Sequence, residues 1–252
     1  MTIYPSLRDL SVFITGGATG IGAAMVTAFS HQQARVGFVD LNNDAAAALA
    51  ERLADMGQAP AWFEPVDVRD TAALQHAIDA FAKDYGPVRV LINNVANDRR
   101  HTPASVTAES WRKAMSVNLD PAFFAAQAVH PEMARAGGGV IINFSSINAH
   151  LGPANMPAYV TAKAALLGMT RALARDFGPD AVRVNCISPG WVVTQRQLDT
   201  WLTPEAEAAW MEQVALQRRI QPEDVAKLAL FLASDDSALI TGQEFIIDGG
   251  RT

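Results

Sequence analysis

Seven short apolar runs punctuate this chain of 252 residues, each followed or preceded by a longer segment with helical patterning. "SVFIT" (11–15), "RVGFV" (35–39), "AWFEPVDV" (61–68), "VRVLINN" (88–94), "GVIINFS" (139–145), "AVRVNCIS" (181–188) and "QEFIID" (243–248) read as strands. Segments 20–31, 43–56, 70–84, 107–136, 157–177, 204–216 and 222–233 read as helices, with breaks in 107–136 expected near Pro121 and Pro131. A strand that is apolar along its whole length is buried on both faces, as in a parallel sheet covered by helices on each side. Strand–helix alternation then makes the expected class α/β, a doubly wound sheet of seven parallel strands in one domain over 1–252.

Composition excludes several partners. The formal net charge is −6, and no basic block offers a surface for nucleic acid. No apolar run approaches the ~20 residues that span a bilayer, so no membrane association is expected. The start "MTIYPSLRDL" lacks a charged segment followed by an apolar one, so a cytoplasmic location is expected. The one cysteine, Cys186, sits in an apolar run and reads as a small buried hydrophobe. No metal-ligand spacing stands out.

The first strand runs straight into "TGGATGIG" (15–22), with glycines at 16, 20 and 22 ahead of a helix. A pyrophosphate approaches backbone N–H groups only where side chains are absent, and the helix N-terminus adds partial positive charge. In this position the pattern reads as the dinucleotide turn of a Rossmann fold. Asp40 follows Gly22 by eighteen residues, at the end of the second strand. A carboxylate there accepts from the adenine ribose hydroxyls of NAD and repels the 2′-phosphate of NADP. No Arg or Lys stands just after it, and Thr19 is neutral, so NAD is favoured over NADP. Asp40 could equally cap the next helix, and the two roles are compatible. Asp67 and Val68, after the third strand, are placed to contact adenine, and Asn93 ends the fourth strand at the lip of the sheet.

"YVTAK" (159–163) sets Tyr159 and Lys163 one helical turn apart on the same face. A protonated lysine there is expected to lower the phenol pKa and make a general base near neutral pH. A core tyrosine beside a surface lysine is the plainer alternative.

Together these stretches resemble the short-chain dehydrogenase/reductase superfamily over nearly the whole chain. "TGGATGIG" is similar to its cofactor motif, "NNVA" (93–96) to its Asn-Asn-Ala-Gly, and "VNLD", "NFSS" and "YVTAK" to its catalytic motifs. "SPGWVVT" (188–194) resembles the Pro-Gly turn that closes on the nicotinamide. The resemblance implies a catalytic set of Asn118, Ser146, Tyr159 and Lys163, with Ser146 rather than Ser145 because it stands thirteen residues before the tyrosine. It implies cofactor contacts at Gly16, Thr19, Gly20, Ile21, Asp40, Leu41, Asp67, Val68, Asn94, Tyr159, Lys163, Pro189, Gly190, Val192 and Thr194. Val95 and Ala96 depart from the family's Ala and Gly, which puts fine cofactor geometry in question. A homotetramer joined through 107–136, 157–177 and the last strand is also implied.

The segments "ANDRRHT" (96–102), "SINAHLGPANM" (146–156) and "GWVVTQRQLDTWLTPE" (190–205) would face the substrate, with about 189–216 acting as a lid. They are polar, as a polyol needs and a fatty-acyl chain does not. They resemble the bacterial aldose 1-dehydrogenases of the family, the D-xylose dehydrogenase type, which oxidise a pentose or 6-deoxyhexose at C1 to its lactone. On that resemblance the sugar contacts are Asn97, Arg99, Ser146, Asn148, His150, Tyr159, Trp191 and Gln195. Two alternatives stay open. A sugar acid or keto-deoxy acid would pair with Arg99 or Arg196, and each polar segment could instead be solvated loop.

Overall fold

The computed structural model describes residues 2–252; Met1, the first residue of the expected domain, lies outside them. Seven strands form one sheet: β1 Ser11–Thr15, β2 Arg35–Asp40, β3 Trp62–Pro65, β4 Val90–Asn93, β5 Gly139–Phe144, β6 Val182–Pro189 and β7 Glu244–Ile247. Their order is β3-β2-β1-β4-β5-β6-β7, and every neighbouring pair is parallel. Ten helices accompany them among the described residues: α1 Gly20–His31, α2 Asn43–Asp55, α3 Thr71–Tyr85, α4 Ala108–Asn118, α5 Asp120–Arg135, α6 Asn148–Leu151, α7 Pro157–Phe177, α8 Gln195–Thr200, α9 Pro204–Met211 and α10 Pro222–Ala233.

The period of two along a strand explains the two cores. Val12, Ile14, Val90, Ile92 and Ile142 face one side, against Met25 and Phe29 of α1 and Val225 and Leu230 of α10. Phe13, Leu91 and Ile141 face the other, against Phe81 of α3, Val129 and Met133 of α5 and Leu173 of α7. Such strands must be apolar throughout, which is why the runs were visible in the sequence.

From β1 the chain winds outward to β3, then returns to β4 on the other side of β1. That reversal opens a crevice at the carboxyl ends of β1 and β4, where ligands bind in open α/β sheets. Thr15, Asn93, Asn143 and Cys186 lie in register across its floor. Beneath it the Asn93 amide donates to Asn143 Oδ1 (2.9 Å), and the Asn143 amide donates to Thr170 Oγ1 of α7 (2.9 Å). These buried polar groups tie two strands and a helix together at the site.

Three expectations need correction. The chain does break before Pro121, where the missing N–H falls in the first turn of α5. It does not break at Pro131, which lies inside α5. Pro131 and Gln127, whose carbonyl loses its partner, are both exposed, so water can take that carbonyl. The helix expected over 204–216 ends at Met211, and α6 and α8 are short helices in polar segments to which no helix was assigned. No helix among the described residues is long and apolar enough to cross a membrane.

Candidate active site

The glycine turn brings bare backbone to the crevice. Gly16 and Gly20 adopt φ of +70° and +54°, which a side chain would strain. A Cβ on Gly22 would lie 1.8 Å from the Gly16 carbonyl oxygen, so only glycine lets α1 start this close to the turn. Thr19 makes no side-chain cap, which leaves the first N–H groups of α1 to an outside acceptor. By contrast Asn42, Asp70, Thr107, Thr194 and Thr203 cap α2, α3, α4, α8 and α9 with side-chain oxygens. Ile21 lies in that first turn.

Asp40 does not cap α2; Asn42 does. Asp40 instead accepts from Ala18 N–H of the glycine turn (3.0 Å) and from Asn42 N–H (3.1 Å), which aims its carboxylate along the rim. Leu41 beside it is 67% exposed, an apolar surface open to a planar group. The Asn94 amide braces the turn by donating to Gly16 O (2.9 Å). Val68 is buried in the core, and the Asp67 carboxylate is gripped by Arg69, which holds its pKa below the usual carboxylate range. Opposite, Gly190 N–H donates to Ile247 O (2.8 Å), Pro189 O accepts from Ile147 N–H (3.1 Å) and Val192 pairs with Ile220. Thr194 closes this arc: a Cβ on Gly20 would meet its methyl at 3.0 Å. The cradle, the uncapped helix and the placed carboxylate fit a nicotinamide dinucleotide.

At the other end of the crevice the predicted catalytic residues converge. Neighbouring residues on extended backbone face opposite ways, and the two serines do so. Ser145 Oγ donates to Lys163 O (2.7 Å), while Ser146 lies with Tyr159. Lys163 is 1% exposed, donates to Phe144 O (2.6 Å) and sits 5.8 Å from the Tyr159 ring centre. Burial pushes the Tyr159 phenol up to about 12; its hydrogen bond with Ser146 pulls it down, Asp98 pushes it up and Arg196 pulls it down. Burial also pulls Lys163 down to about 8. The expectation that Lys163 lowers the tyrosine is therefore not met: desolvation dominates both groups, and the cation acting on the phenol is Arg196. Cys186 is 1% exposed with its thiol raised to about 12 by burial, as an inert core residue should be.

Asn118 is 3% exposed, and its side chain clamps the Asn97 backbone, accepting from its N–H (2.8 Å) and donating to its C=O (3.2 Å). A cavity of about 10 Å³, room for one water, lies against Asn118, Lys163, Asn93 and Thr15. Asn93, expected at the lip of the sheet, has its Oδ1 buried there without a partner in the chain.

The predicted sugar contacts divide. Asn148 lies at Ser146, its N–H donating to Ser146 Oγ (3.2 Å), Asn97 is held at Asn118 by its backbone, and Trp191 Nε1 donates to Gln197 Oε1 (2.7 Å). Arg99 is exposed. Gln195 turns along α8 to Asp199 (2.7 Å). The His150 ring pairs with Glu244 of β7 (2.6 Å), which also accepts from Ser188 (2.5 Å). Asp98 and Gln197, next-door residues in the same segments, are half-buried instead, and Asp98 pairs with the exposed Arg196. Adjacent loop residues have no period to separate them in a sequence.

Comparison with known proteins agrees with this geometry. Residues 16–252 match the family described as enoyl-(acyl carrier protein) reductase. A probable galactose dehydrogenase of Rhizobium meliloti is 49% identical over 98% of this chain and 96% of its own. A D-xylose 1-dehydrogenase of Caulobacter vibrioides is 47% identical over 98% of both chains. A 3-oxoacyl-acyl-carrier-protein reductase of Brucella melitensis, solved with bound NAD, superposes with a TM-score of 0.89 at 32% identity, covering 99% of this chain and 94% of that one. The chain is an oxidoreductase and belongs to the short-chain dehydrogenase/reductase family.

Proposed function

We propose that this protein oxidises the anomeric carbon of a free aldose, a pentose, hexose or 6-deoxyhexose, to its lactone with NAD. The observation that carries the reading is the wall opposite Tyr159. It is polar, and the arginine at its rim, Arg196, is already paired with the half-buried Asp98 carboxylate at 2.5 Å. A neutral polyol suits such a wall, whereas a sugar acid would need an unpaired cation facing the phenol. The sugar dehydrogenases among its relatives support the same substrate class.

Bound oxidised nicotinamide supplies the hydride acceptor and a positive charge that favours the phenolate. Tyr159 takes the proton of the C1 hydroxyl as the hydride leaves C1, and the C1–O bond becomes the lactone carbonyl. Ser146 donates to the reacting oxygen and holds it over the phenol. Lys163, whose pKa burial lowers to about 8, relays the proton that Tyr159 takes up toward the cavity beside Asn118 and Asn93, which has room for one water. Gly16, Thr19, Gly20 and Ile21 bind the pyrophosphate, Asp40 the adenine ribose, and Thr194 with the Pro189–Gly190 turn the nicotinamide end. Residues 189–216 act as a lid. The enzyme works in the cytoplasm as a homotetramer.

The test is NADH formation at mildly alkaline pH with D-xylose, L-arabinose, D-galactose, L-fucose, L-rhamnose and matching sugar acids, using NAD and then NADP. Turnover of one or two free aldoses with NAD is expected. Activity confined to sugar acids would move the reading to the carboxylate substrate, and NADP preference would remove the role given to Asp40.

A further inference from the structure

Two segments far apart in sequence, 98–100 and 196–201, are joined near the site. The Asp98 carboxylate accepts from Arg196 (2.5 Å) through one oxygen and from Gln197 Nε2 (3.2 Å) through the other. Gln197 in turn accepts from Trp191 Nε1 (2.7 Å). The Arg100 guanidinium lies 4.0 Å above the Trp201 ring, a second joint between the same segments. Exposed ion pairs contribute little to stability, so holding the loop is a weak reason for this arrangement. Asp98 has only 22% of its side chain exposed, it follows Asn97, whose backbone Asn118 clamps at the site, and its charge and that of Arg196 are felt at Tyr159. A carboxylate offers about four lone-pair positions, of which the two neighbours occupy two. The joint also leaves a donor unused, because Trp201 Nε1 is buried with no partner in the chain.

We propose that Asp98 is the specificity-determining residue of the pocket: held by Arg196 and Gln197, its carboxylate accepts from aldose hydroxyls remote from the reacting carbon. This rests on the sugar reading above and adds to it the group that distinguishes one aldose from another. A carboxylate fixed at both oxygens reads the orientation of a hydroxyl, since only one epimer reaches a free lone pair.

The experiment compares the wild type and Asp98→Ala on whichever aldose is turned over and on its monodeoxy analogues. In the wild type, deleting one particular hydroxyl should cost on the order of 10- to 100-fold in kcat/KM, the worth of a hydrogen bond to a charged group. Asp98→Ala should lose a similar factor on the parent sugar and be indifferent, within about threefold, to that same deletion. NADH binding, read by tryptophan quenching, should stay within about twofold in the variant, because Asp98 does not touch the cofactor cradle. If Asp98→Ala fails to bind NADH, Asp98→Asn carries the same test with the side-chain volume kept. Equal losses for every deoxy analogue in both proteins, or an undiminished kcat/KM in the variant, overturn the assignment and leave the sugar reading standing. A wild type that binds NADH yet turns over no aldose overturns both.

Discussion

At the glycine turn the chain meets the crevice with backbone alone, and at the opposite rim with paired side chains from two distant segments. The cofactor side is set by hard contacts: the 1.8 Å gap at Gly22, the positive φ at Gly16 and Gly20, and the uncapped start of α1. The proposed substrate side is formed by Asp98, Arg196, Gln197 and Trp191, joined by hydrogen bonds that one substitution can rearrange. Sterics of that kind leave no room for variation, while a polar rim can be retuned to another sugar without disturbing the cradle. The different substrates in the names of its relatives, galactose and D-xylose among them, are consistent with this division.

Variants on the two sides should therefore fail differently. Tyr159→Phe removes the base at the meeting point, and kcat should fall by about 10² to 10⁴ while NADH binding persists. Retained turnover would deny Tyr159 its role. Gly22→Ala drives a methyl into the Gly16 carbonyl; dinucleotide affinity should drop at least about tenfold and stability by about 1–3 kcal/mol or more, seen by calorimetry. Unchanged affinity would mean the turn adapts, and the contrast with the rim would weaken. Asp40→Asn should raise the Kd for NAD by roughly tenfold and narrow its advantage over NADP, since it removes both an acceptor and a repulsion.

The rim variants should move the pH profile in opposite directions. Oxidation needs the phenolate, and burial holds Tyr159 at about 12, so kcat/KM should climb with pH through the alkaline range. Arg196 pulls that pKa down, so Arg196→Ala should shift the rise to higher pH. Asp98 pushes it up, so Asp98→Asn should shift it lower. Shifts of the same sign would show that the pair acts on the phenol only through loop position. The smallest effect belongs to His150→Ala. With its ring on Glu244, the KM for sugar should change by less than about threefold, and a larger change would restore the contact suggested by family resemblance.

The same contrast explains what was legible in the sequence. The ends of α1 and α7 stand where Gly20 and Pro157 start them, because those residues act locally. The glycine turn, Asp40 and the Tyr159–Lys163 spacing also speak through short-range rules. The rim residues could not be assigned that way. Gln195 and Gln197 share a helix of six residues, too short for a period to show which side chain faces inward. Asp98 and Arg99 lie in a loop, where no alternation applies. The tyrosine's pKa was misjudged for a related reason: burial, the larger influence, is a property of the packed molecule, whereas the adjacent lysine is visible in the string.

The uncapped helix at Thr19 also has a consequence for how long the protein lasts. Its first-turn N–H groups have no acceptor in the chain, so a bound pyrophosphate stabilises the folded form over the unfolded one. Saturation at about a hundred times Kd adds roughly 2.7 kcal/mol to resistance against unfolding. Abundance of the enzyme is thereby tied to the supply of its dinucleotide: a cell short of cofactor would lose not only the reaction rate but, through proteolysis of the opened chain, the catalyst itself.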